Sequence, residues 1–148
     1  MENLFLSPGE IAQSWIGIGK KKANLAFMKT LLLAIIAGMF IGLGAHADII
    51  AVQTLGETVD VGFAKLIGAS VFPVGIILVV IAGAELFTGN CLIALSVINR
   101  DEKIAKLVKN LIVVFIGNFV GAFALAYLLS NSGLYGPDAA AKAVAIAE

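Results

Sequence analysis

The sequence predicts an all-α membrane protein of three spans, the second of them broken. Three observations carry that prediction. Of the 148 residues, 60% are hydrophobic, and the mean hydropathy is +1.02. Only 14% are charged, against about 25% in a typical soluble domain. Apolar stretches fall at residues 27–47, 66–98 and 110–130, and the middle one is too long for a simple crossing. As one helix it would measure about 50 Å, whereas the hydrocarbon core is about 30 Å thick.

The first segment, residues 1–26, is too polar to span and holds Glu2, Glu10 and the run Lys20, Lys21, Lys22. It has no early apolar core of the kind a signal peptide carries. Ser7, Pro8 and Glu10 form a helix-start signature, with Ser7 as N-cap and Glu10 closing a capping box. Ile11, Trp15 and Ile18 then recur at helical spacing. These features predict a short amphipathic helix on the membrane surface, with Trp15 at headgroup level.

The first span, 27–47, carries Lys29 at its start, where the side chain can snorkel to water. Ala34, Gly38 and Gly42 form a small-residue stripe that lets a neighbouring backbone approach closely. His46 ends this span at the outer face and reads as an interfacial, non-catalytic residue. A loop is expected over 48–64, with Asp48, Glu57 and Asp60 and no lysine or arginine. After the broken stretch comes a charged loop, 99–109, with Arg100, Lys103, Lys106 and Lys109. In the third span Gly117 and Gly121 repeat the small-residue spacing. Asn118 between them is expected to hydrogen-bond a neighbouring helix rather than line a pore. Tyr127 and Tyr135 mark the far interface. The last segment, 136–148, begins a short helix at Pro137 that cannot span. The one-sided placement of lysine and arginine puts the N-terminus and residues 99–109 in the cytoplasm; the membrane itself is expected to be a plasma (inner) membrane.

Several function classes are disfavoured. Ten basic and ten acidic residues leave a formal net charge of zero, so no basic footprint for nucleic acid exists. The single cysteine, Cys91, excludes an internal disulfide and reads as a small buried hydrophobe. No nucleophile–base pair, metal-ligand cluster or nucleotide loop is evident, which argues against an enzyme and predicts no cofactor.

The most informative stretch is GAELFTGN, residues 83–90, inside the longest apolar run. A break over 85–90 would place both halves of that run in the membrane. It would also free backbone groups that each cost several kcal/mol if unpaired in hydrocarbon. Glu85 then has two readings: a charge that tunes a pathway, or a carboxylate that ties down freed N–H groups of its own loop. The second fits better, because an acid facing an anion path would repel it. A second half-helix is expected to begin near residue 89, with Thr88 or Asn90 as N-cap. Its free N–H groups and partial positive charge suit an anion, and the Thr88 hydroxyl can either cap that helix or donate to a solute.

GAELFTGN, with FAKLIGASVFPVGIILVVIAGAE before it and KNLIVVFIGNFVGA after it, resembles the formate/nitrite transporter family. The resemblance extends to KKKANLAFMKTLLLAIIAGMFIGLGA and covers roughly residues 10–135. The ending TGN and the stretch KKKANLAF are most similar to the hydrosulfide channel branch. The resemblance implies an aquaporin-like helical bundle built from two inverted repeats of three spans, assembled as a homopentamer with a pore in each protomer. Residues 27–135 would be the first repeat. It further implies that Leu86, Phe87 and Thr88 narrow the pore, that Phe72 and Ile76 are apolar constrictions, and that Lys22 is the lysine at the cytoplasmic pore entrance. Glu85, Gly89 and Asn90 complete the broken-helix loop. Lys20 and Lys21 leave the register of that lysine open by a residue or two. The second repeat and its pore histidine have no counterpart, so the 148 residues are expected to be the first part of a longer chain.

The leading expectation is therefore passage of a small monovalent anion through the membrane, hydrosulfide first, with formate, nitrite and chloride as the other candidates. The alternatives are a water or neutral-solute channel, which lacks its Asn-Pro-Ala signature here, and a structural membrane subunit with a bent helix and no pore.

Overall fold

The computed structural model describes residues 5–148; Glu2, part of the predicted polar start, lies outside the described residues. These residues form nine helices, with no strand among them. Three helical stretches are long and apolar enough to cross a membrane. The chain is an all-α, multi-pass membrane protein.

Helix α1 (Pro8–Ala23) starts as the sequence predicts. The Ser7 N–H donates to Glu10 Oε2 at 2.7 Å, and the Glu10 N–H donates to Ser7 Oγ at 3.4 Å. The bonds from the Ser7 side chain and then from its backbone hold the Glu10 carboxyl below the usual carboxylate range. One face of α1 is committed to protein rather than to the membrane surface. Ser96 Oγ donates to the Ile16 carbonyl at 2.7 Å, and a Cβ on Gly19 would collide with the Ser96 hydroxyl.

Helix α2 (Phe27–Val52) runs five residues beyond the predicted end of the first span. Ile49, Ile50 and Val52 continue its apolar surface. Asp48 is accommodated because it meets Gly68, where no side chain stands in its way. The expected loop over 48–64 is correspondingly short. It contains one turn, α3 (Leu55–Thr58), before α4 (Val61–Val71) begins. Asp60, read as a loop acid, is the N-cap of α4: its Oδ1 accepts from Gly62 N at 2.7 Å and Phe63 N at 3.3 Å. Helix α5 (Pro73–Ala82) follows through Phe72, which keeps helical angles. Pro73 occupies a first-turn position, where the missing N–H is tolerated. Together α4 and α5 make a 22-residue stretch, Val61–Ala82.

The stretch ends at Gly83, whose φ of +61° is the left-handed conformation glycine adopts without strain. The chain is helical again in α6 (Phe87–Asn90) and, after a turn at Cys91 and Leu92, in α7 (Ile93–Ile98). Helix α8 (Ile104–Ser130) starts six residues before the predicted third span and takes in part of the charged loop. Helix α9 (Pro137–Ala147) closes the described chain.

Helix α2 is the hub. It contacts α8 most extensively, then α5 and α4, and α9 at its far end. The glycines make this possible. A Cβ on Gly38 would collide with the backbone carbonyl of Asn118, and one on Gly121 with that of Ile35. On the other side of α2, a Cβ on Gly44 would stand 2.6 Å from Phe72 O, and one on Gly75 2.7 Å from Phe40 O. Small residues thus let α2, α5 and α8 touch backbone to backbone, the contact mode that replaces hydrophobic burial inside a bilayer. Much of the remaining surface is apolar. Phe115, Phe119, Phe123 and Tyr127 form an exposed ladder on α8.

The close approach makes a direct test. Gly38→Ala places a methyl against immovable backbone and is expected to cost about 1–3 kcal/mol. Gly17→Ala, on α1 with open space around it, is expected to stabilise by about 0.5–1 kcal/mol through helix propensity. Thermal unfolding of the full-length protein in detergent, read side by side for the two variants, checks both signs.

Candidate functional site

The break lies at residues 83–86, slightly ahead of the expected 85–90, and Gly89 and Asn90 belong to helix or its end rather than to the loop. The N-cap of α6 is Leu86, with no side-chain cap. Neither Thr88 nor Asn90 caps, because both lie inside the first turn. The four-residue α6 is too short to build a sizeable macrodipole, so free N–H groups rather than dipole charge are what its start can offer. The break sits beside Leu33 and Ala34, six or seven residues into α2, roughly 10 Å from that helix's start. It is off-centre toward the end of the bundle where α1 docks.

Two of the freed backbone groups are paired by one side chain from another helix. Asn118 Nδ2 donates to the Glu85 carbonyl at 3.0 Å and to the Ala34 carbonyl at 2.8 Å. Asn118 Oδ1 accepts from Phe87 N at 2.9 Å. The Glu85 N–H itself donates to Leu33 O at 3.3 Å. Asn118 therefore ties α2, the break and α8 together, as its predicted role as a bond between helices requires. The expectation that the Glu85 carboxylate would serve its own loop's N–H groups is not met, since Asn118 does that work.

The Glu85 carboxylate faces a different set of partners. Its side chain is 4% exposed, and Oε1 stands 2.8 Å from Lys22 Nζ. Oε2 accepts from Asn90 Nδ2 at 2.6 Å. Lys22 also donates to Asn90 Oδ1 at 3.2 Å, and Asn90 donates to Asn110 Oδ1 at 2.7 Å. Asn110 Nδ2 donates back to the Lys22 carbonyl at 3.3 Å. The buried charge is thus paired and each of its two oxygens accepts a hydrogen bond, which favours survival of an ion pair out of water. Asn110 went unnoticed in the sequence. It stands at the boundary between charged loop and span, where an asparagine carries no special signal.

A cleft of about 610 Å³ opens beside this network. Lys22, Ile76, Glu85, Leu86, Thr88, Gly89 and Asn90, all singled out from the sequence, line it. Lys21, Lys29 and Trp15 contribute to the same walls, with Leu33 and Val79. Thr88 is exposed and Leu86 half-buried. Two of the candidates lie elsewhere. The Phe87 ring packs edge-on against Phe115, with centroids 5.8 Å apart. Phe72 lines a second cavity of about 570 Å³ together with Asp48, Lys65 and Lys142. Phe72 and Ile76 therefore face two different cavities, and between them Gly75 is locked against α2. Cys91 is exposed, contrary to its reading as a buried hydrophobe, because the turn between α6 and α7 faces outward. His46 lies within α2 against Tyr135, the ring centroids 5.4 Å apart and the planes tilted by 35°, and its Nδ1 has no partner among the described residues. Burial holds the Tyr135 hydroxyl above its usual pKa. No group of histidine, cysteine or acidic residues is arranged to hold a metal ion among the described residues.

Three long apolar helical stretches, one cut short by a polar break that neighbouring helices stitch closed, define a membrane protein of the broken-helix kind. The family follows from comparison. A family described as formate/nitrite transporter matches residues 9–148, and the chain belongs to it. It is 41% identical over 128 residues to the uncharacterized transporter YrhG of Bacillus subtilis, covering 86% of this chain and 48% of that protein. To the probable formate transporter of Methanothermobacter thermautotrophicus it is 35% identical over 132 residues, covering 88% of this chain and 48% of the relative. To the formate channel FocA of Escherichia coli K12 it is 38% identical over 130 residues, covering 88% of this chain and 45% of the relative. The chain spans about half the length of the curated relatives it matches.

Two outcomes test the site's construction. Asn118→Leu leaves Phe87 N–H and Glu85 C=O without their partner, and at about 1–3 kcal/mol for each buried unpaired group the full-length protein is expected to lose several degrees of melting temperature in detergent. Lys22→Met alone strands the Glu85 carboxylate and is expected to cost about 3–5 kcal/mol. The double variant Lys22→Met/Glu85→Gln is expected to recover most of that loss. Additive single and double effects in such a cycle would show that the pair is not coupled.

Proposed function

We propose that this chain supplies one half of a membrane path for a small monovalent anion of a weak acid. The cleft beside the break is the observation that carries the reading. Lys21, Lys22 and Lys29 bring positive charge to it, and Lys22 alone is matched by the buried Glu85. The surplus cations raise the local concentration of anions. Deeper walls are apolar at Leu33, Ile76, Val79 and Leu86, so a hydrated ion cannot pass without losing its water, which is costly. Thr88 and the free N–H groups of the first turn of α6 offer partial replacement for that water. A weak-acid anion has a further route: it takes up a proton and crosses the apolar zone as a neutral molecule.

The division between Phe72 and Ile76 supports the same reading. Each residue lines a cavity on its own side of the tightly packed α2–α5 contact, as an apolar barrier between two vestibules requires. Relatives carrying the names formate channel and probable formate transporter make formate the first substrate to measure. Hydrosulfide, favoured by TGN and KKKANLAF, is its main rival, followed by nitrite and chloride. We further place the N-terminus and residues 99–109 in the cytoplasm of the plasma membrane. The open apolar faces are proposed to be covered by a second, inverted three-span repeat and by neighbouring protomers of a homopentamer.

Flux through the full-length protein in liposomes, compared for formate, hydrosulfide, nitrite and chloride across pH, tests this. Selective flux of one weak-acid anion is expected. Thr88→Val is expected to lower it about 2–10-fold, the value of one neutral hydrogen bond. Passage of water or glycerol without anion selectivity would replace the reading with a neutral-solute channel. Unchanged flux in both Thr88→Val and Leu86→Ala would point to a structural subunit.

A further inference from the structure

Two smaller cavities lie side by side at the start of α8, apart from the cleft just described. One, about 170 Å³, is bounded by Phe27 and Thr30 of α2 and by Lys106, Lys109 and Asn110 of α8. At ~30 Å³ per water its 170 Å³ corresponds to about six waters, enough for a phosphate group. The other, about 550 Å³, is a shallow, open groove over one face of α8 alone, lined by Ile104, Val108 and Ile112. Lys109 and Val113 line both. A cationic pocket thus continues directly into an apolar groove.

From this juxtaposition we propose that the start of α8 binds one anionic phospholipid, its phosphate between Lys106 and Lys109 and an acyl chain along Ile104, Val108 and Ile112. The charge arithmetic selects the headgroup. Lys106 is engaged by Glu102 at 2.8 Å and by Asn24 Oδ1 at 2.5 Å. Lys109 has no acidic partner among the described residues. Arg100 and Lys103 add positive charge nearby in the chain, opposed only by Asp101 and Glu102. A zwitterionic choline headgroup would set its own cation against this rim. The first turn of α2, which no side chain caps, adds N–H donors at Phe27 on the pocket wall.

The apolar face beside a lysine rim suits a lipid tail. A second copy meeting this face with the same face would oppose lysine to lysine, and a head-to-tail neighbour, which would escape that opposition, is what the cross-linking arm below detects. An amphiphile with one negative head and a flexible apolar chain satisfies both cavities at once. Asn110, on the pocket wall, also bonds Asn90, so the lipid head would sit one side chain away from the network that holds the break.

The test is lipid retention by the full-length protein in detergent, read by native mass spectrometry with phosphatidylglycerol and phosphatidylcholine of identical chains. Preferential retention of phosphatidylglycerol is expected. Lys109→Gln, at an exposed position, is expected to weaken it about fivefold and Lys106→Gln/Lys109→Gln about 30-fold, while Lys109→Arg retains it. Ile112→Asn is expected to weaken it without altering the headgroup preference. Equal retention of the two lipids, or no effect of Lys109→Gln in a protein of unchanged melting temperature, would overturn the proposal. So would full displacement by millimolar inorganic phosphate, which would make this a free-anion pocket. Quantitative cross-linking of two copies through Ile112→Cys, with lipid excluded, would assign the groove to a second copy instead.

Discussion

A helix interrupted inside hydrocarbon must have its freed N–H and C=O groups paired by protein, since no water is there to do it. In this chain Asn118 serves Phe87 N and Glu85 O at the break and Ala34 O of α2 at once, and the Leu33 carbonyl takes the Glu85 N–H. Asn118 can reach all three only because α8 lies against α2 at backbone contact. Gly38 and Gly121 permit that contact, so the glycine spacing and the survival of the break are one requirement. Larger residues at either glycine would push α8 outward and withdraw the asparagine from the groups it satisfies.

The carboxylate at the break answers to a second set of bonds. Glu85 binds Lys22 of α1, and Asn90 and Asn110 close the ring back to the Lys22 carbonyl. These contacts, with the Ser96–Ile16 bond, set α1 against the second half of the broken span. The amphipathic helix is thereby part of the bundle's architecture. Pairing also explains how an acid can line a cleft that is otherwise bordered by lysines. The ion pair is locally neutral, and the net positive character comes from Lys21 and Lys29 beside it.

The two cavities on either side of the α2–α5 contact are a consequence of glycine as well. Gly44 and Gly75 draw α5 onto α2, and the residues flanking that seam, Phe72 and Ile76, are turned to opposite sides of it. An apolar pair at one helical turn is thus split between two separate cavities.

The sequence by itself determined the membrane class, the three apolar stretches, the capped start of α1 and the fact of a break, because these follow from local composition and from lengths set against the thickness of a bilayer. It also identified Asn118 as a bond between helices, since a lone amide between two small residues in a span has few other uses. Boundaries were less legible: Asp48 and Asp60 looked like loop acids, and only the tertiary structure shows one facing a glycine and the other capping a helix. The division of labour at the break was likewise invisible. Whether Glu85 serves its own loop or a lysine 63 residues away depends on where α1 docks. The separation of Phe72 from Ile76, and the exclusion of Phe87 from the cleft, depend on helix rotation about close contacts. Those are long-range matters of packing, and periodicity along one segment carries no information about the neighbour it will meet.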